Sequence, residues 1–480
     1  MADEYRRLRC WWWVVLATLL GGSLAARAQA RPDTASCVLR GGQLRNLGGT
    51  MLSHSRQLVL VSVQPPSHNQ TLVEQQWRDE QLRLRRTTQL RLSGKLELAA
   101  VQSTAHYVLL QLLSRDSLVL ATVDTLGRLV AQVRQPLAVR RGLFGASDLE
   151  LKKADNFLTI EQQRETSCRL VCRAPNLALR WEKTFGPTPE ANLLTAAADS
   201  THLWVILMAD YDKRHPSSTA VCLDLATGRE LTRVELTNEK ARRVPSVAEM
   251  GPGHSLLVAG HAFDGEAAVR RRTGDLFFQR LSPSGQVLSD YLTDFEQAPA
   301  LHGAAAEHVQ WQLLWPTGQN RVRLVGETYT STSAGSSIAA GAFTMGLAGQ
   351  ATLRPQEVVS LELNPGGQVE QLRVVPLPLD KSSFTVPNFR QARILARMAL
   401  EAGTFRTRGL AYDSTTLVLS SPQQIQTLNL RTSRLQLVRP APEKGTADVL
   451  YVGKDYLLLG EVRNSKNSMR ILRVPLPTAN

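Results

Sequence analysis

Cysteine is scarce in this chain, five in 480 residues, and one of the five, Cys10, lies in the leader discussed below. Cys37, Cys168, Cys172 and Cys222 are too few for a disulfide scaffold, and a chain of this length can bury enough apolar surface without one. No apolar run is long enough to cross a bilayer as a helix: the longest, Trp11 to Leu20, is about half the ~20 residues a span requires. There is no Gly-rich phosphate loop, Gly-x-Ser-x-Gly elbow or His-Glu-x-x-His helix, which excludes the nucleotide and hydrolase chemistries those motifs announce. Lysine is rare as well, ten of the 56 basic residues. The net charge of +14 is therefore carried by scattered arginine, a skew that follows base composition, and nucleic acid is not an expected partner.

The first 30 residues have the layout of a cleavable secretory signal. Arg6, Arg7 and Arg9 form a basic start, Trp11 to Leu20 an apolar core, and Ala28-Gln29-Ala30 the small residues a signal peptidase accepts, with the cut before Arg31. The Arg6-Arg7 pair lacks the rest of a twin-arginine signal, and Thr34-Ala35-Ser36-Cys37 lies too far past the apolar core for a lipoprotein box. The expected location is the periplasm or outside the cell. Residues 1–30 are assigned to the signal and 31–480 to one folded domain. Removing the signal leaves 52 of the 56 basic and 40 of the 42 acidic residues, a net +12.

The mature chain repeats one unit, an apolar strand followed by a second strand that turns tightly into a third. The apolar strands read QLVLVSV, HYVLLQLL, NFLTI, HLWVILM, SLLVAGHAF, RVRLVGETY, TLVLS and DYLLLGEV. The turns centre on Gly127, Asn176, Gly228, Gly285, Gly366-Gly367 and Thr432, where glycine and asparagine suit positive φ. Spacings of roughly 50 residues and above match four-stranded propeller blades, some with insertions. The predicted fold is all-β, a β-propeller of about seven blades (six to eight). Residues STSAGSSIAAGAFTMGLAGQ, between Tyr329 and Glu357, are expected to form a surface loop. A short helical insertion is expected near 388–402, capped by Asn388 and ended by Gly403, with Phe389, Leu395 or Ile394, Met398 and Ala402 on one face. Arg390, Arg393 and Arg397 would then share a solvated stripe.

Two stretches carry a family resemblance. LDLATGREL, residues 223–231, resembles the Leu-Asp-x-x-Thr-Gly-x-x-Leu turn of pyrroloquinoline-quinone-type propeller repeats, and LALRWEKTF, 177–185, keeps the tryptophan such repeats place on the following strand. Thr232 stands where the first repeat would want that tryptophan. The resemblance implies propeller architecture. As a whole the chain looks like an exported bacterial propeller of an uncharacterised family.

Candidate chemistry is sparse. Cys168 and Cys172, in SCRLVC, fall on one face of a strand about 13 Å apart at ~3.3 Å per residue, which suits neither a bridge nor shared zinc. They are expected to pack in the core or to pair, one of them, with Cys37 or Cys222. His254 and His261 flank a strand on opposite faces, and His302 and His308 lack helical i, i+4 spacing. Asp210, Tyr211 and Asp212 lack the further oxygens of a calcium loop and sit beside Lys213 and Arg214. Catalytic residues are thus unknown, and no cofactor-binding or metal-ligating residue is assigned. The reading favours a monomeric, non-enzymatic envelope or extracellular module that binds a protein, peptide or glycan. A carbohydrate lyase or hydrolase with its site at the propeller mouth is the alternative.

Overall fold

A computed structural model describes residues 36–40, 47–52, 55–64, 69–136, 156–164, 167–186, 192–209, 217–236, 242–263, 275–293, 308–318, 320–332, 350–378, 383–387, 392–401, 404–411, 415–421, 423–442, 445–463 and 468–476. Its strands form eight small antiparallel sheets, the blades of an eight-bladed β-propeller. In chain order the blades span 47–93, 97–136, 157–185, 192–235, 242–293, 309–376, 407–440 and 445–475. Five are four-stranded along the chain, blade 6 has five strands, blade 3 has three described strands, and blade 8 has three strands of its own. Blade 8 gains its fourth strand from Ser36–Arg40, which pairs antiparallel with Ser468–Pro475, Ser36 opposite Leu472 and Arg40 opposite Ser468. The two ends of the described chain thereby meet in one sheet, and the N-terminal strand belongs to the last blade.

Seven of the eight apolar runs of the sequence are the second strands of these sheets, and NFLTI lies in the first of the three described strands of blade 3. His202–Ala209 and Leu256–Phe263 are buried along nearly their whole length, on both faces, because each sheet is packed between its two neighbours. The fourth strands, such as Glu230–Glu235, alternate between half-buried and exposed, as an outer edge must. Arg85, Arg86 and Arg91 lie exposed on such an edge, Leu84–Ser93. First strands of neighbouring blades run against one another, blade 1 on blade 2, blade 4 on blade 5 and blade 5 on blade 6, around the axis. Several first strands carry a bulge, in blade 4 between Leu193 and Thr195, in blade 5 between Pro245 and Val247, in blade 6 between Trp311 and Leu313. The added twist lets these strands converge on the axis.

The turns between third and fourth strands join the blades. Each carries a left-handed residue: Leu82, Gly127, Leu177, Gly228, Gly285, Gly367 and Ser433. Leu177 and Ser433 take the positions that the sequence suggested for Asn176 and Thr432; the Asn176 side chain instead accepts the Ala178 N–H and fixes the turn from its preceding residue. Each left-handed residue lies on the preceding blade. Gly127 faces Trp77 and Thr88 of blade 1, Gly228 faces Trp181 of blade 3, Gly285 faces Thr232 of blade 4, and Gly367 faces Tyr291 and Phe278 of blade 5. Leu82 closes the ring by packing with Tyr456, Leu458, Met469 and Ile471 of blade 8. At blade 3 the Trp181 Nε1–H donates to the Leu225 carbonyl at 2.9 Å. The tryptophan and the LDLATGREL turn that looked alike to separate repeats are therefore two halves of one contact between blades.

Two departures from expectation concern blade 6. Its second strand runs on to Thr332 and its third begins at Gln350, with Tyr329 opposite Pro355 and Thr332 opposite Thr352. The flanks of the expected surface loop are thus ladder, with Ala351 and Leu353 buried; residues 333–349 lie outside the described set. Phe384–Pro387 adds a further strand to this extension. The expected helix is present as Ala392–Glu401. Leu395, Ala396 and Ala399 pack with Tyr329, Ala351, Leu353 and Phe405, while Met398 reaches the core shared by blades 4 and 5. Arg397 does not lie on a solvated stripe: its guanidinium donates to the Leu194 carbonyl of blade 4 at 2.9 Å. Asn388, Phe389, Arg390, Ala402 and Gly403, and the side chains of Arg393 and Ile394, lie outside the described residues. No described helix is long and apolar enough to cross a membrane.

Candidate functional site

The two faces of the ring differ. Turns joining first to second and third to fourth strands emerge on one face and are short, such as 199–201, 174–178 and 282–286. Connections on the opposite face vary, from 165–166 and 114–116 to the much longer 264–274, 294–308 and 333–349, and the helix Ala392–Glu401 belongs to that face. Leu194 lies near the start of its strand, Asn192–Ala198, so the helix sits where first strands enter from the long-connection side.

On the short-turn face, near the axis, the fold gathers three side chains that are far apart in sequence. Asp199 and His202 bound the turn between the first two strands of blade 4, and His254 ends the corresponding turn of blade 5. The geometry starts with Asp199. Its Oδ1 accepts the Thr201 N–H at 2.7 Å, the His202 N–H at 2.8 Å and the Thr201 hydroxyl at 3.0 Å. Its Oδ2 accepts the His254 Nδ1–H at 2.6 Å. Burial alone would raise this carboxyl, but the bonds from His254, from the Thr201 and His202 backbone and from the Thr201 hydroxyl outweigh it and hold the group down at about 2. Asp199 is thus a fixed anion at the seam between two blades.

The imidazoles of His202 and His254 lie with ring centroids 4.8 Å apart. Thr201 Oγ1 is 2.8 Å from His202 Nδ1 and 3.5 Å from His254 Nδ1. The His254 backbone is held as firmly as its ring: the Trp204 indole N–H donates to its carbonyl at 3.3 Å, and Arg280 donates to Pro252 O and Ser255 Oγ in the same turn. Gly253 and His254 are both left-handed, at φ 69° and 60°. The His254 side chain is 51 % exposed, whereas Asp199 and His202 are about one-fifth exposed, so the cluster opens to solvent through His254.

The other residues singled out in the sequence do not converge. His254 is not partnered by His261, which is buried in the strand Leu256–Phe263 with its ring 6.4 Å from that of Phe263. His308 stacks on Tyr329 at 5.3 Å in blade 6. His302, Asp210, Tyr211 and Asp212 lie outside the described residues, as does the side chain of Cys37. Cys168 and Cys172 do share a face, within one core cluster, and with Cys222 they are buried free thiols, so none of the three is in a disulfide. Burial raises Cys168 and Cys222 to about 12 and Cys172 to about 11, which keeps them protonated and inert.

Sequence reading also missed Glu327. This fully buried carboxylate on the second strand of blade 6 accepts the backbone N–H groups of Arg406 and Thr407 at 2.7–3.1 Å, at the start of blade 7. Satisfied in this way, a buried charge joins two blades rather than performing chemistry. Only Asp199 and His202 had a readable signal, the Asp-Ser-Thr-His turn immediately before an apolar strand.

The fold defines an eight-bladed β-propeller. The chain is similar to the WD40 domain of SCAP from fission yeast, at 8 % identity over 92 % of this chain and 98 % of that one, with a TM-score of 0.46. It is similar to the WD40 domain of coronin from Toxoplasma gondii, at 9 % identity over 79 % and 82 % with a TM-score of 0.42. It is also similar to dipeptidyl peptidase 4 of Porphyromonas gingivalis, at 10 % identity over 91 % of this chain and 60 % of that one, with a TM-score of 0.44. Likeness at these identities is one of fold. No protein-family model matches the chain, and no curated protein matches it in sequence.

Proposed function

We propose that the mature chain, from Arg31, is an exported binding module that holds a protein, peptide or glycan on the long-connection face of the propeller, in the periplasm or outside the cell. The asymmetry between faces carries this reading. One face is finished with minimal turns that serve the contacts between blades, while on the other some strands are joined by stretches as long as 264–274, 294–308 and 333–349. Loops of that kind on a rigid scaffold are where binding residues concentrate. The start of the chain supports export through its basic, apolar and small-residue order.

The test replaces residues 333–349 by a two-residue Asn-Gly turn and compares both proteins on arrays of glycans and peptides. The binding reading expects a ligand that the parent holds and the shortened chain loses, with unfolding temperature unchanged. Turnover of a bound glycan would support a lyase or hydrolase instead, and a ligand still held equally after 264–274 and 294–308 are shortened as well would overturn the assignment to this face. N-terminal sequencing of exported protein should begin at Arg31; a start at Met1 or an acylated Cys37 would refute the export scheme.

A further inference from the structure

We propose that Asp199, His202 and His254 bind a divalent transition-metal ion of the zinc class on the short-turn face, at the seam between blades 4 and 5. One donor atom from each of the three lies within 4.8 Å of the others. Two imidazoles and one carboxylate form a donor set that suits zinc and its neighbours, and not the all-oxygen preference of calcium or magnesium. Ligands at ~2.0–2.1 Å from a tetrahedral ion lie about 3.3 Å from one another. The Asp199 Oδ2 to His254 Nδ1 separation of 2.6 Å must open by a few tenths of an ångström, and the longest separation must close. The half-exposed His254 ring can open its contact with Asp199 by rotation, while its backbone stays fixed by Trp204 and Arg280. The ion takes the place of the proton that now joins Asp199 to His254.

The surrounding bonds fit a ligand cluster. Asp199 is oriented through its other oxygen by three donors, which leaves Oδ2 directed at the His254 imidazole. An orienting shell of this kind is what a metal-binding carboxylate needs. Thr201 Oγ1, now 2.8 Å from His202 Nδ1, must yield that nitrogen and keep its bond to Asp199 Oδ1. With three protein ligands the ion keeps an open position toward solvent. The site is independent of the long-connection face and of any ligand held there.

The experiment is calorimetric titration of the untagged, metal-free protein with ZnCl₂ and, separately, CaCl₂. One Zn²⁺ should bind per chain with no response to Ca²⁺. His202→Asn and His254→Asn should each weaken Zn²⁺ at least about 100-fold, beyond the ~10–100-fold expected of an outer partner, and His106→Asn should leave it unchanged. Circular dichroism in chelator checks that each variant folds. Should either variant unfold, zinc-edge X-ray absorption of the parent protein decides, with two imidazoles in the first shell expected. Stoichiometric Zn²⁺ binding that survives in H202N/H254N, no binding by the parent, or a first shell without imidazole would each overturn the site.

Discussion

Single residues on the short-turn face separate two penalties that usually occur together. Gly228 and Gly253 share a φ of +69°, but a Cβ at Gly228 would lie 2.5 Å from the Trp181 ring, while nothing lies within 4 Å of one at Gly253. Gly253→Ala should cost only the left-handed penalty of ~1–2 kcal/mol. Gly228→Ala adds the displacement of a buried indole that also donates to Leu225 O, and should cost roughly twice as much or more, as read from urea midpoints. Leu177 is the converse case. It bears the same strain at φ 62° and offsets it by filling the cluster of Leu109, Leu120 and Phe157. Leu177→Gly should therefore destabilise, by about 1 kcal/mol net, since the apolar burial lost exceeds the strain relieved. The cysteines give a chemical test. With thiols raised to about 11–12, Cys168, Cys172 and Cys222 should resist alkylation at pH 8 in the native protein and label fully in denaturant, by peptide mass spectrometry. Above pH ~9 the unfolded thiols ionise while the buried ones stay protonated, so the folded state binds more protons and this part of its stability falls as pH rises.

Among elements, the helix Ala392–Glu401 invites a specific cut. Leu395→Ala removes a buried side chain between the helix and the blade 6 extension, and should cost ~2–4 kcal/mol of local stability. Amide exchange should speed up in 392–401 and in the extension around Tyr329 and Leu353, and stay slow in the second strands of blades 1 and 2. Helix and second strands were both legible in the sequence, because apolar periodicity survives wherever an element buries the same face along its length. Blade count was harder to read. Eight apolar strands were visible, but the closing strand Ser36–Arg40 is separated from its partner by almost the whole chain, and no local pattern announces such a pairing. The Asp199 cluster is hidden for the same reason: the partners of His254 lie 52 and 55 positions earlier in the chain, one blade away. Arg397 looked solvated because helical spacing alone cannot show the Leu194 carbonyl that receives it.

For the whole molecule the decisive joint is the mixed blade 8. A chain beginning at residue 47 loses the Ser36–Arg40 ladder and leaves Ser468–Pro475 as an open edge. It should melt at lower temperature and self-associate on size-exclusion chromatography, and a synthetic peptide of residues 31–45 added in excess should reverse both; indifference to the peptide would mean that the ring holds without its clasp. The turns give the ring a direction as well. Each left-handed turn residue rests on the blade before it, so a blade that folds in chain order meets a surface that has already been made. Gly228 finds Trp181 waiting, and Gly367 finds Tyr291. Leu82 is the exception, since its seat of Tyr456, Leu458, Met469 and Ile471 belongs to blade 8, the last of the ring. When blades form in chain order, blade 1 therefore stands with an unfilled flank, and Ser36–Arg40 without a partner, until blade 8 has formed, so the last blade to fold completes the first.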